Sequence, residues 1–265
     1  MSIDFHAQKN RGTYASREAQ PDWAATIRTI LDPTGKHVAD IGCGGGIYSA
    51  AWANIGAADI VGVDSSEQMI LAAAEKTKRR SNIRFQTGDA LATGLPSASV
   101  DIVFARALIH HLRNYTKCFQ EAHRILRAEG DYIIQDRTPE DVRLPGSPDH
   151  VRGYFFECFP KLIETEMGRR PTDVAVRNAL LDAGFHSPRV LTVWETRKVY
   201  RSFDDLSKDL LGRTGRSILH DLTDHELTQL VEFINKRMAS QSQIIERDRW
   251  TIWSSKAGSV ERYKS

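Results

Sequence analysis

Lys36 to Gly46 reads KHVADIGCGGG, and this stretch decides the fold. A short apolar run ends in Asp40, and a dense glycine turn follows at Gly42, Gly44, Gly45 and Gly46. Residues Ile47 to Gly56 then read as a helix. Strand, glycine turn and helix form the first unit of a doubly wound α/β sheet, in which ligands sit at the carboxyl ends of the strands. Glycine accepts positive φ and carries no Cβ, so such a turn can bring backbone close to a ligand.

The same alternation continues outward. Strands are expected at His37–Ile41, Ile60–Val63, Ile83–Gln86, Val100–Ala105 and Tyr132–Gln135. Between them lie helical patterns, one of which starts with Ser65 as cap and Gln68 as its capping-box partner. Before them, Trp23, Ile27, Ile30 and Leu31 mark the apolar face of a first helix. Alternating strands and helices imply a mostly parallel sheet covered by helices on both faces. After the fifth strand the pattern loosens. An aromatic group, Tyr154, Phe155, Phe156 and Phe159, reads either as core or as a substrate pocket. A helix is expected over Thr172–Ala183, a strand near Val190–Trp194, helices over 202–238 with a Thr223–Glu226 capping box, and a last strand at Trp250–Trp253. The expected organisation is one domain over 1–265: an N-terminal arm at 1–20, a cofactor-binding core at 36–137, and substrate or lid segments at 141–170 and 202–238.

Composition narrows the functions. The chain has 265 residues, 41% hydrophobic and 26% charged, with a net charge of +2. No long basic run provides the electrostatic footprint of a nucleic-acid binder. The three cysteines, Cys43, Cys118 and Cys158, are too far apart to suggest disulfides or a metal site. No apolar stretch is long enough to span a bilayer. The expectation is a cytoplasmic protein, monomer or homodimer, with no metal, no nucleic-acid partner and no membrane partner.

Three carboxylates close three consecutive strand units: Asp40, Asp64 and Asp89. A carboxylate ending the second strand can accept both hydroxyls of a ribose, and Asp89 can accept from an exocyclic amine. Together with the glycine turn they describe a nucleoside site. A dinucleotide site fits less well. The third glycine of G-x-G-x-x-G would fall at Ile47 or at Ser49, and Asp40 would repel a pyrophosphate. Asp40 could also serve only to cap a turn.

VADIGCGGG, VGVDSSEQM, FQTGDALATGLP and VDIVFARALIHHL, in this order, resemble the successive motifs of class I S-adenosylmethionine-dependent methyltransferases. The branch resembled is the one with the ubiquinone and menaquinone biosynthesis methyltransferases (methyltransferase domain 11), over about residues 36–137. The resemblance implies a Rossmann-like seven-stranded sheet with the last strand antiparallel, S-adenosyl-L-methionine as cofactor and a small-molecule acceptor. It implies cofactor contacts from Asp40, Gly42, Cys43, Gly44, Asp64, Ser65, Met69, Gly88, Asp89, Ala90 and Arg106, with Tyr14 and Arg17 on a closing arm. Arg106, His110 and His111 are the catalytic candidates, either histidine serving as base for an acceptor that must lose a proton. Each also has a structural reading: the histidines as plain structural residues, Arg106 as the partner of a nearby carboxylate. Arg106 and Arg137, after strands four and five, would suit an anionic acceptor. Ala105-Arg106-Ala107-Leu108 departs from the Asn/Asp-Pro-Pro-Tyr/Phe motif of base and glutamine amino-methyltransferases. The alternative to an enzyme is a non-catalytic S-adenosylmethionine-binding or regulatory protein.

Overall fold

The computed structural model describes residues 18–238, 241 and 243–258. A seven-stranded sheet has the order β3-β2-β1-β4-β5-β7-β6. The strands are β1 (His37–Ile41), β2 (Asp59–Asp64), β3 (Ile83–Thr87), β4 (Val100–Arg106), β5 (Leu126–Asp136), β6 (Phe185–Tyr200) and β7 (Ile244–Ala257). The first five pair in parallel, and β7 runs antiparallel to β5. The mostly parallel Rossmann-like sheet is therefore present, with its last strand antiparallel.

Over the described residues the chain divides into two compact units. The motif unit holds 18–136, 171–192 and 251–258, and the helical unit holds 137–170, 193–238, 241 and 243–250.

In the motif unit, both faces of the central strands are buried, which is why β1 and β4 read as almost continuous apolar runs. Successive residues of a strand point to opposite faces. Val103 and Ala105 of β4 join the core built from Ile134, Phe119 on α4 (Tyr115–Ile125) and Leu180 on α8 (Asp173–Asp182). Phe104, between them, packs on Trp23 of α1 (Pro21–Ile30) and on Trp52 of α2 (Ile47–Asn54), ring centroids 5.8 and 5.6 Å away. The Trp23 indole N–H donates to Gln135 Oε1 at 3.2 Å, which satisfies that buried donor.

Two boundaries differ from the sequence reading for physical reasons. Helix α3 (Glu67–Thr77) is capped by Ser66, whose Oγ accepts from the Met69 N–H, not by Ser65, which is exposed. The Asp64 carboxylate accepts the Ser66 N–H, and this tie sets the chain so that Ser66 faces the helix end. Strand β5 begins at Leu126 rather than Tyr132: Leu126 pairs with Val100 and Asp131 with Ile102, and a register shift between them takes up the polar residues 127–130, which show no apolar alternation. Likewise β6 and β7 run well beyond the apolar segments that announce them.

The helical unit contains α5 (Pro139–Val142), α6 (Val151–Cys158), α7 (Lys161–Gly168), α9 (Phe203–Leu211) and α10 (Asp224–Met238). Tyr154, Phe155 and Phe156 are buried in its core with Leu206, Leu210, Leu227, Leu230 and Ile234, so this aromatic group is core. The Thr223–Glu226 capping box forms in both directions, with Glu226 accepting from Thr223 and Thr223 Oγ1 accepting from the Glu226 N–H.

Candidate active site

The glycine turn after β1 is held by the end of β2. The N–H groups of Gly42 and Cys43 both donate to the Val63 carbonyl, at 2.8 and 3.1 Å. The Gly44 N–H donates to Asp64 Oδ2 at 2.9 Å, and Asp64 Oδ1 takes the Ser66 N–H at the same distance. Gly42, Gly44 and Gly46 have φ of +72°, +50° and +73°, the left-handed region that side chains penalise. A Cβ at Gly42 would press on Leu108, whereas at Gly44 or Gly45 it would meet no atom of the described residues within 4 Å. The turn thus borders open space beside a half-buried carboxylate.

The third strand end joins the same place. The Gly88 N–H donates to the Asp64 carbonyl at 3.0 Å, and a Cβ at Gly88 would lie 2.8 Å from Val63. Asp89 is exposed, and its Oδ1 accepts the Leu91 N–H in its own turn. Ala90 is partly buried against the core, and Met69 is buried on α3. Asp40 lies beneath the turn, 2% exposed, and accepts from Ser49 Oγ at 2.6 Å. Burial raises its pKa to about 7, with the Asp64 charge adding to the shift and Ser49 and Arg106 opposing it. Burial also pushes the Cys43 thiol well above its usual value, helped by Asp40 and Asp64, so Cys43 is no thiolate nucleophile at neutral pH.

Beyond β4, Arg106 lies over the Tyr48 ring, its guanidinium carbon 4.2 Å from the centroid. His110 and His111 follow on a single 3-10 turn, Ile109–His111, with their rings 4.0 Å apart. His111 is exposed, while the His110 side chain is 5% exposed. His110 Nδ1 meets the buried carboxylate of Asp136 at the end of β5.

The geometry therefore gathers Gly42, Cys43, Gly44, Asp64 and Gly88 around one point, with Asp40 and Met69 buried in the supporting elements. Ser65 caps nothing and faces solvent. Tyr14 and Arg17 lie outside the described residues. Arg137, in the helical unit, is engaged by Asp248 at 2.7 Å and by the Trp250 ring at 3.8 Å, so its guanidinium is committed internally. Asp136 escaped the sequence reading, although an acid closing an apolar strand, YIIQD, is the same signal that marked Asp40 and Asp64. Among the described residues no group of three or more His, Cys, Asp or Glu could hold a metal ion. No helix there is long and apolar enough to cross a membrane.

Residues 39–134 match the model of a family described as a methyltransferase domain. An uncharacterized methyltransferase of Bacillus subtilis, YcgJ, is 29% identical over 133 residues, 49% of this chain and 52% of its own. The O-methyltransferase cnsE of Penicillium expansum is 28% identical over 211 residues, 76% of this chain and 69% of its own. The chain thus spans about half the length of the first relative and about two thirds of the second. In fold, the crystal structure of YcgJ covers 90% of this chain and 99% of its own at a TM-score of 0.58 and 16% identity. Phosphoethanolamine N-methyltransferase 2 of Haemonchus contortus, solved with S-adenosyl-L-methionine, covers 97% of this chain and 60% of its own, with a TM-score of 0.59 and 16% identity. Residues 39–134 of this chain thus resemble a methyltransferase domain, and the strand order and the glycine turn agree with that match.

Proposed function

We propose that the chain is an S-adenosylmethionine-dependent methyltransferase acting on a small molecule. The observation that carries this reading is the Asp64 carboxylate at the end of β2, tied to the Gly44 N–H of a glycine turn that borders open space. The donor set suits the group: Asp64 accepts the ribose hydroxyls, the Gly88–Ala90 turn takes the adenine edge, Met69 supports the adenine from α3, and Gly42 to Gly44 line the methionine part. When bound, S-adenosylmethionine supplies a methyl group on a sulfonium sulfur, and that sulfur leaves as the neutral thioether once the acceptor has taken the methyl. The loss of charge on sulfur asks little of the protein beyond positioning and exclusion of water. Arg106 and Tyr48 flank the end of β4, where the acceptor approaches, and His110 takes a proton from acceptors that must lose one. The relatives named as O-methyltransferases and N-methyltransferases support the class and leave the acceptor atom open.

Purified protein given methyl-labelled S-adenosylmethionine and a small-molecule extract should yield a labelled product. Calorimetric binding of S-adenosylhomocysteine without any labelled product would favour a binding or regulatory protein instead. Absence of binding would remove the cofactor assignment.

A further inference from the structure

The connection from β3 to β4, residues 88–99, carries no helix. It opens on the Gly88–Ala90 turn proposed above for the adenine edge. Backbone donors and acceptors that leave the sheet need other partners once buried. Here α4 answers them. Glu121, buried on α4, accepts the Thr93 N–H at 2.8 Å and the Thr93 hydroxyl at 2.5 Å, both on Oε1. Arg124, one turn further along α4, donates from Nε to Glu121 Oε2 and from Nη2 to Oε1, at 2.7 and 2.8 Å. The same Nη2 donates to the Leu95 carbonyl at 2.7 Å, and Nη1 reaches Ser97 Oγ at 3.0 Å. The Gln86 side-chain amide, on β3, donates to the Thr93 carbonyl at 2.8 Å. Buried Thr93 is thus gripped by a strand and by a helix.

The grip reaches the turn through the chain itself. Ala92, next to Thr93, donates its N–H to the Asp89 carbonyl at 3.0 Å, and Asp89 Oδ1 accepts the Leu91 N–H at 2.8 Å. Holding Thr93 therefore fixes where residues 89–92 lie. Burial by itself would raise the Glu121 pKa, but the Arg124 and Thr93 hydrogen bonds hold it below its usual value. The carboxylate is therefore ionised at neutral pH and only accepts, and bonds to an ionised acceptor are the stronger kind. An adenine edge offers an amine donor beside a ring-nitrogen acceptor, and a 6-oxopurine offers the reverse. A turn can tell the two apart only if its polar groups are held to within about 0.5 Å.

We propose that Glu121, braced by Arg124, is a positioning residue for base recognition: through Thr93 it sets the 89–92 turn so that the cofactor site takes a 6-aminopurine and rejects a 6-oxopurine. This rests on the methyltransferase reading above. Glu121 acts through the loop and not by contact with the base.

Calorimetry with S-adenosylhomocysteine and its 6-oxo analogue, S-inosylhomocysteine, tests this. The wild type should favour the amino form at least about tenfold, the size of one charge-assisted hydrogen bond. In Glu121→Ala this ratio should fall at least about fivefold, because the amino form loses those bonds and the oxo form never made them. Glu121→Gln keeps an oxygen for the Thr93 N–H and should retain most of the ratio. A merely structural role would lower the binding-competent fraction and weaken both ligands by the same factor, leaving the ratio in place. If Glu121→Ala does not fold, Thr93→Val takes its place: it removes only the hydroxyl contact and should lower the ratio about threefold. A wild-type ratio near or below one, or an unchanged ratio in the variant, would overturn the proposal and leave the methyltransferase reading intact. Failure of the wild type to bind either ligand would overturn both.

Discussion

The two units solve the problem of a stable interior in different ways. In the motif unit the sheet buries apolar side chains on both faces, and the buried carboxylates are scattered: Asp40 and Asp136 toward strand ends and Glu121 on α4. In the helical unit an apolar core coexists with a buried ionic network. Tyr200 Oη and Asp209 Oδ2 are 2.7 Å apart, Arg216 reaches Asp209 and Glu246 at 2.7 Å each, and Arg197 reaches Glu246 at 2.8 Å. Nearby, Glu166 is shared by Arg152, Arg169 and Arg170. Taking charges out of water is costly, and such a network holds only when every member is answered by a partner. Apolar packing tolerates local change, whereas the ionic interior makes each member depend on the others.

Breaking the network should produce the largest effect. Arg216→Met removes the buried cation shared by Asp209 and Glu246, leaving Arg197 to answer most of their charge, and should cost about 3–5 kcal/mol of stability, read by chemical denaturation with a probe in the helical unit. A loss below about 1 kcal/mol would mean that the network relaxes like an exposed one, and the contrast between the units would fail.

Titration should pull the units in opposite directions. Burial raises the Asp40 pKa from 3.8 to about 7, so its penalty on the folded state is absent below about pH 4 and complete above about pH 7. Stability of the motif unit should therefore fall with rising pH across that window. Asp40→Asn, which keeps an acceptor for Ser49, should remove roughly 2–4 kcal/mol of that slope in denaturation curves taken at pH 4 and pH 8. In the helical unit, burial would push Asp209 and Glu246 up, but Arg216 and Arg197 hold both below their usual range. Their contribution is present at neutral pH and is lost on acidification below about pH 4, so acid should unfold this unit first. A parallel pH response of probes in the two units would contradict both assignments.

The functional side of the contrast is smaller in energy. Asp64→Ala removes a charge-assisted acceptor and should weaken S-adenosylhomocysteine binding by about 1.5–3 kcal/mol, roughly tenfold or more, in calorimetry. Unchanged affinity with an intact fold would move the cofactor away from β2. The smallest effect sharpens a local point in the motif unit. Ser66→Ala should cost about 1 kcal/mol through the lost α3 cap. Ser65→Ala should stay within about 0.5 kcal/mol, as exposed substitutions do. Thermal melts of the two variants would expose a reversed order.

Much of the motif unit is legible in the chain because its signals are local. KHVADIGCGGG holds strand, acid and turn within eleven residues, and VGVDSSEQM repeats strand, acid and helix start. Parallel strands buried on both faces must be apolar throughout, so they stand out without knowledge of their partners. The choice between Ser65 and Ser66 was not legible, because it depends on where the Asp64 carboxylate turns the backbone. The extra length of β5, β6 and β7 was hidden for a similar reason: backbone pairing with a neighbouring strand asks nothing of the side chains.

What the sequence by itself determined is the doubly wound sheet, the glycine turn at Gly42–Gly46 with the strand-end acids Asp40 and Asp64, and the methyltransferase resemblance. Each follows from short-range patterns of apolarity, glycine and acid. Tertiary structure alone decided that Asp136 faces His110, 26 residues earlier, and that Arg197, Tyr200, Asp209, Arg216 and Glu246, up to 49 residues apart, meet in one buried network. A charged residue looks the same in sequence whether it ends in water or in a core. Its partner, and therefore its role, exists only once the chain has brought distant segments together, since a buried charge is tolerated only where a partner answers it.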